Sequence, residues 1–287
     1  MMRYEAPATV SAAVSLLAKE KGQAFVMAGG TDLLVKMKSG LVEPDLIVDI
    51  KRIKPLHEVK KTASGITIGA ALCNAALGEN ALLRKFWPGV VEGATLIGSK
   101  QVQGRCTMAG NLCNASPAGD AVPALVAAGA KAVIQGPKGK RKLAIRDVPA
   151  GPGRTNLKKG EIITSIELPK REARSADAYL RFIPRTEMDI AVVSAAVNLT
   201  LDAKGVVRKA AVALGAVAPT VLDVPAAARA LVGTKLDDAA LEKMAAAARA
   251  ACRPIDDKRG TAAFRTQVAG VLAQRAARTA YARAGGK

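Results

Sequence analysis

Aromatic side chains make up only 3% of this 287-residue chain, and there is one histidine, His57. So few rings argue against a base-stacking surface and leave the core to aliphatic residues. His57 sits in no cluster of titratable groups, so it reads as a surface or structural residue. The four cysteines form no CxxC pair and no zinc spacing, which leaves free thiols and no expected metal site. No long apolar run exists. The least polar stretch, residues 121–130, is too short for a bilayer helix and contains Pro123. The N-terminus, MMRYEAPATV, lacks the apolar core of a signal peptide. A soluble, cytoplasmic protein with no membrane span is expected.

Acidic residues are also scarce: 24 against 43 Lys and Arg, a net charge of +19. The excess is spread along the chain. It favours anionic ligands, acidic partners or nucleic acid without choosing among them. Hydrophobic residues reach 50%, enough for a substantial core and too many for disorder.

The pattern along the chain is mixed, an α+β arrangement. Residues 9–20 have helical apolar spacing with Thr9 or Ser11 as cap. Residues 24–28 read as a buried strand, 33–38 as a short helix and 45–50 as a second strand. Together they form a compact β-α-β unit with parallel strands. Residues 65–69, 130–135, 142–145 and 161–168 read as strands, the middle pair joined by a basic turn. Residues 81–94 and 120–128 look helical. Residues 170–177 are polar and read as a linker. Beyond them, 190–201 and 206–214 read as antiparallel strands, and 225–232, 236–252 and 260–284 as Ala-rich helices. A boundary is drawn at residue 174, giving domains 1–174 and 175–287.

Two motifs carry chemistry. Ala28-Gly29-Gly30-Thr31-Asp32-Leu33 joins a strand to a helix. Two glycines there permit close backbone approach and positive φ, and the helix start offers unpaired N–H groups. Such a loop suits an anion, typically phosphate. It equally suits a tight turn capped by Thr31 or Asp32. It is neither a P-loop nor a GxGxxG fingerprint. The second motif is residues 107–120, TMAGNLCNASPAGD. It is rich in small, amide and hydroxyl residues, suited to gripping a polar ligand or to an ordinary loop before a helix capped by Asp120.

Together the two motifs resemble the flavin-binding subunit of the molybdenum-containing hydroxylases, the family of carbon monoxide dehydrogenase medium subunits and xanthine dehydrogenase flavin domains. The family signatures are AGG(T/H)(D/S)LL and T(I/L)GGNL-x-x-(A/T)SP-x-x-D. Residues 185–193, RTEMDIAVV, resemble its R-x-x-x-D-I-A-x-V run, and the likeness covers nearly the whole chain. Ala109 departs from the family, replacing the first Gly of GGN. Ala fits there if φ is negative.

The resemblance implies FAD, gripped at its diphosphate by Met27, Ala28, Gly29, Gly30, Thr31, Asp32 and Leu33. Thr107, Gly110 and Asn111 would close the other side, and Asn114 would add a polar contact. Asp120 would accept hydrogen bonds from the ribose or adenine side. Ile97 and Ile163 would give apolar contacts, and Arg181 stands where the family often has a Lys near the flavin. The implied fold is a vanillyl-alcohol-oxidase-type FAD-binding domain in two sub-domains (about 1–55 and 56–174). A C-terminal domain of small antiparallel sheet and helical bundle would follow. The implied role is an electron-transfer subunit beside a large molybdopterin subunit and a small [2Fe–2S] subunit, in a dimer of heterotrimers. The substrate and the external acceptor are left open. Two rivals stand: a stand-alone flavin oxidoreductase of the same fold, and a basic nucleic-acid-binding protein.

Overall fold

The computed structural model describes residues 1–286. The first of its main sheets is small and parallel: Arg3–Glu5, Leu46–Asp49 and Ala24–Met27 in that spatial order. Helix Val10–Lys19 covers one face, packing Ala13, Val14 and Leu17 on Leu46 and Val48. Thr9 is its cap, accepting from the Ala12 N–H at 3.2 Å. The expected β-α-β unit is present, with Ala24 opposite Leu46 and Met27 opposite Asp49. Sequence reading missed Arg3–Glu5, which is too short for a period-2 signal.

The second sheet is antiparallel: Val59–Thr62, Gly65–Gly69, Ile162–Pro169, Lys131–Gly136 and Gly139–Ala144. Ile66, Ile68, Ile134 and Ile166 pack from one face on Leu83, Leu112 and Leu125 of the neighbouring helices. The helix expected over 81–94 is broken into Ala81–Phe86 and Pro88–Thr95. Pro88 pushes Trp87 out of the helical region, to φ −139 and ψ 57, and then starts the second helix.

The third sheet runs Ser175–Phe182, Val193–Leu201, Val207–Gly215 and Leu222–Asp223. Strand Val193–Leu201 and the second half of Val207–Gly215 are buried on both faces, whereas Arg208 and Lys209 are exposed. Val197, Leu199, Val212 and Leu214 meet the C-terminal helices, whereas Ala196 and Ala213 meet the core of the second sheet. That double burial explains the apolar run at residues 210–215. Helices Pro225–Leu231, Asp238–Ala251 and Ala262–Arg283 close the outer side, as expected.

The reading of 170–177 as a linker is corrected. A strand begins at Ser175, and the two charges flanking its start are buried. Arg171 pairs with Asp177 at 2.5 Å and lies 3.6 Å from the centre of the Trp87 ring. Asp177 also accepts from the Val90 N–H at 3.1 Å. Glu92, on the same helix as Val90, pairs with Arg283 and accepts from the Tyr179 N–H. Arg171 and Asp177, two of the polar residues that suggested a connector, form a buried ionic joint, and residues 172–174 between them are exposed.

Candidate functional site

The Gly29–Gly30 loop and the start of helix Met108–Asn114 face each other across a cavity of about 340 Å³. Gly30 has φ +74, a value only glycine adopts at little cost. Gly29 is required for a different reason: a Cβ there would lie 2.0 Å from the Arg105 carbonyl oxygen. The loop can therefore touch the backbone of Arg105 and Cys106 only as glycine. No backbone hydrogen bond engages the N–H groups of Gly29, Gly30, Thr31 or Asp32 among the described residues. The helix that follows, Leu33–Lys38, has six residues, and Asp32 makes no side-chain cap to it. So short a helix has little macrodipole, and the loop amides are the useful donors.

The loop is braced from below. Lys51 donates to the Ala28 carbonyl at 3.2 Å and pairs with Asp49 at 2.7 Å. Burial pushes the Asp49 carboxyl up, but hydrogen bonds from Lys51 and Tyr4 outweigh it and leave it below the ordinary range. His57 lies exposed with Nε2 at 2.8 Å from the Lys51 carbonyl oxygen, on the protein's outside.

The first half of the second motif, Met108–Asn114, is helical where a loop was read, and residues 115–119 form the loop. Thr107 is the N-cap of that helix, accepting from the Gly110 N–H at 2.9 Å. The Asn111 N–H goes to the Thr107 carbonyl, and the Asn111 side chain accepts from the Ala121 N–H at 3.2 Å. Ala109 lies inside this helix with negative φ, so its substitution for glycine costs the backbone nothing. Thr107→Ala is expected to destabilise the helix by about 1 kcal/mol and lower flavin retention, while Thr107→Ser retains it. Flavin absorbance per chain of the purified variants checks this.

The cavity wall includes Met27, Ala28, Gly29, Gly30, Thr31, Asp32, Leu33, Ile97, Thr107, Gly110, Asn111, Asn114 and Ile163. Asp120 and Arg181 are not on it. They form a buried pair at 2.8 Å, and Tyr179 donates to the same Asp120 carboxylate at 2.9 Å. Burial pushes the Asp120 carboxyl up to about 6, against the pull of Arg181 and Tyr179, so it is ionised at neutral pH. Nor does Asp120 cap the helix after it. Its link to the cavity is indirect, through the Asn111–Ala121 hydrogen bond.

Sequence reasoning missed Phe25, Lys36, Cys106, Thr155, Leu157 and Glu161 on the wall. The Gly151-Pro-Gly153 return preceding Thr155 was the one local signal available. Phe25, Lys36 and Cys106 sit within three residues of the two motifs, whereas Leu157 and Glu161 come from a distant segment. Burial pushes the Cys106 thiol up to about 11 and Cys113 up to about 12, so both wall cysteines stay protonated. All four cysteines are free.

The wall suits a dinucleotide. Free amides and a glycine cradle fit a diphosphate, and Ile50, Ala70, Ile97 and Ile163 offer apolar surface for rings. Residues 1–171 match the family described as the FAD binding domain in molybdopterin dehydrogenase, and residues 178–280 the CO dehydrogenase flavoprotein C-terminal domain. The chain belongs to the FAD-binding subunits of the molybdenum hydroxylases. It is 35% identical over 281 residues to the carbon monoxide dehydrogenase medium chain of Afipia carboxidovorans, covering 98% of this chain and 97% of that one. It is 28% identical to a putative xanthine dehydrogenase FAD-binding subunit of Escherichia coli, covering 99% and 97%. A chain of the cyanide-inactivated Cu,Mo-CO dehydrogenase structure superposes with a TM-score of 0.94 at 35% identity, covering 98% of each. A chain of quinoline 2-oxidoreductase from Pseudomonas putida 86 gives 0.91 at 26%, covering 99% of this chain and 98% of that one. FAD is thus the family's cofactor, and the α+β fold follows the CO dehydrogenase medium chain.

Proposed function

We propose that this chain is the electron outlet of a molybdenum hydroxylase complex. Electrons would arrive from [2Fe–2S] centres in a small partner subunit and leave to an external acceptor. Substrate would be oxidised in a large molybdopterin subunit, the whole forming a dimer of heterotrimers. The observation that carries this reading is a dinucleotide cleft whose wall leaves few titratable groups free, Lys36 and Asp32 both being hydrogen-bonded to Asn114. Its thiols are protonated, and its Glu161 is tied bidentately to Arg141 at 2.8 and 2.7 Å. FAD when bound supplies the redox chemistry. The chain's residues bind it and exclude water. A stand-alone flavoenzyme would need an acid or base of its own, and on this wall only Asp32 and Lys36 could serve.

We place Asp120, Tyr179 and Arg181 as a charged network behind the wall, supporting the helix that carries Asn111. We place the boundary between the FAD-binding and C-terminal units near residue 174. No helix of the described residues is long and apolar enough to cross a membrane. Free thiols fit a reducing, cytoplasmic setting.

The test compares the chain purified alone with the chain purified with its partners. Carbon monoxide, xanthine and quinoline, taken from the names of the relatives above, are offered to both. Flavin bleaching by one of them is expected only in the complex. Turnover by the isolated chain would remove the subunit role.

A further inference from the structure

The cavity wall carries a single positive side chain, Lys36. It projects from helix Leu33–Lys38, is half-buried, and makes no salt bridge among the described residues, although burial pushes the nearby Asp32 carboxyl up against the lowering pull of the Lys36 charge. Its Nζ donates instead to the Asn114 Oδ1 at 2.6 Å. Asn114 Nδ2 in turn donates to Asp32 Oδ1 at 3.0 Å. The orientation of that amide is fixed by its neighbours, since an ammonium only donates and a carboxylate only accepts. The chain Lys36–Asn114–Asp32 joins the two motifs across the mouth of the cavity.

This arrangement leaves a cation bonded to a neutral oxygen. The other acid on the wall, Glu161, is already neutralised by Arg141. A dinucleotide brings about two negative charges at its diphosphate. Loop amides can hydrogen-bond them but carry no formal charge, and a six-residue helix adds little. A lysine on a flexible stem can exchange one acceptor for another without moving the backbone.

We infer that Lys36 is the counter-ion of the FAD diphosphate, held ready by Asn114 until the cofactor arrives. The inference rests on FAD occupying this cleft. Lys36 leaves the Asn114 carbonyl for a phosphate oxygen, while Asn114 keeps its bond to Asp32 and with it the spacing of the two motifs.

The experiment titrates FAD into the full chain stripped of flavin, followed by flavin fluorescence at low and high salt. Riboflavin, which has no phosphate, is the second probe. Lys36→Met is expected to weaken FAD binding about tenfold at low salt, the scale of one charge-assisted contact, and to flatten its salt dependence. Riboflavin affinity and the melting temperature of the flavin-free chain should not change. Lys36→Arg should keep both the affinity and the salt dependence. Wild-type FAD affinity and salt dependence in Lys36→Met would overturn the assignment. So would an equal loss for riboflavin, which would mean that Lys36 acts through the fold. Wild-type protein that takes up no FAD at all would instead remove the premise about the cleft.

Discussion

Gly29→Val is expected to give a folded chain that purifies without flavin. An added Cβ would meet the Arg105 carbonyl oxygen at 2.0 Å, its carbon at 2.6 Å and Cys106 Cα at 2.9 Å. All three are backbone atoms, so no side chain can swing aside. The loop must lift off the opposite wall, which displaces the amides of Gly30, Thr31 and Asp32 from the cleft. Overpacking of this kind costs roughly 1–3 kcal/mol. At the upper end that lowers FAD affinity about a hundredfold, since each 1.4 kcal/mol is tenfold. Gly30→Val should lose flavin to a smaller degree. Its penalty is the left-handed φ of +74, and a Cβ there meets only the Leu34 and Met27 side chains at 3.2 and 3.3 Å. Lys138→Ala, at an exposed hairpin turn, should keep full flavin. The absorbance ratio of flavin to protein measures all three. Full occupancy in Gly29→Val would mean that this loop does not grip the cofactor.

Asp177→Ala is expected to cause the largest loss of stability, about 3–5 kcal/mol, because it strands a buried guanidinium. The Arg171 side chain is 6% exposed and its partner Asp177 3%. The substitution also removes the acceptor of the Val90 N–H. Arg171→Met with Asp177→Ala should recover part of the loss, since no charge is then left alone. Urea unfolding of the single and double variants tests this by the shift in midpoint. A loss below about 1 kcal/mol in the single variant would mean that water reaches Arg171 and that the joint is an ordinary surface pair.

The first glycine loop was legible because its chemistry is local. A strand, two glycines and a helix start lie within ten residues, and the structure keeps them in that order. Helices Asp238–Ala251 and Ala262–Arg283 were legible because Ala-rich periodicity survives tertiary packing. The ionic joint was not legible. Arg171 and Asp177 look solvated in sequence, and their burial comes from distant partners, the Trp87 ring and the Val90 amide more than eighty residues away and the Asn198 side chain. Lys36 was missed for a similar reason. Its partner Asn114 is 78 residues distant. Asp120 and Arg181 were read toward the cofactor by resemblance. The structure binds them to each other, because a buried carboxylate takes the nearest guanidinium. The second motif was read as a loop because it is dense in amide, hydroxyl, Gly and Pro residues, although Met108, Ala109 and Leu112 favour helix. Thr107 as a cap adds to their preference.

The central claim is that this cleft holds one FAD without a covalent bond. The direct measurement is the flavin content of the freshly purified full chain, before and after acid denaturation and filtration. About one FAD per chain, all of it in the filtrate, is the predicted result. A colourless chain, or flavin that stays with the polypeptide, would contradict it.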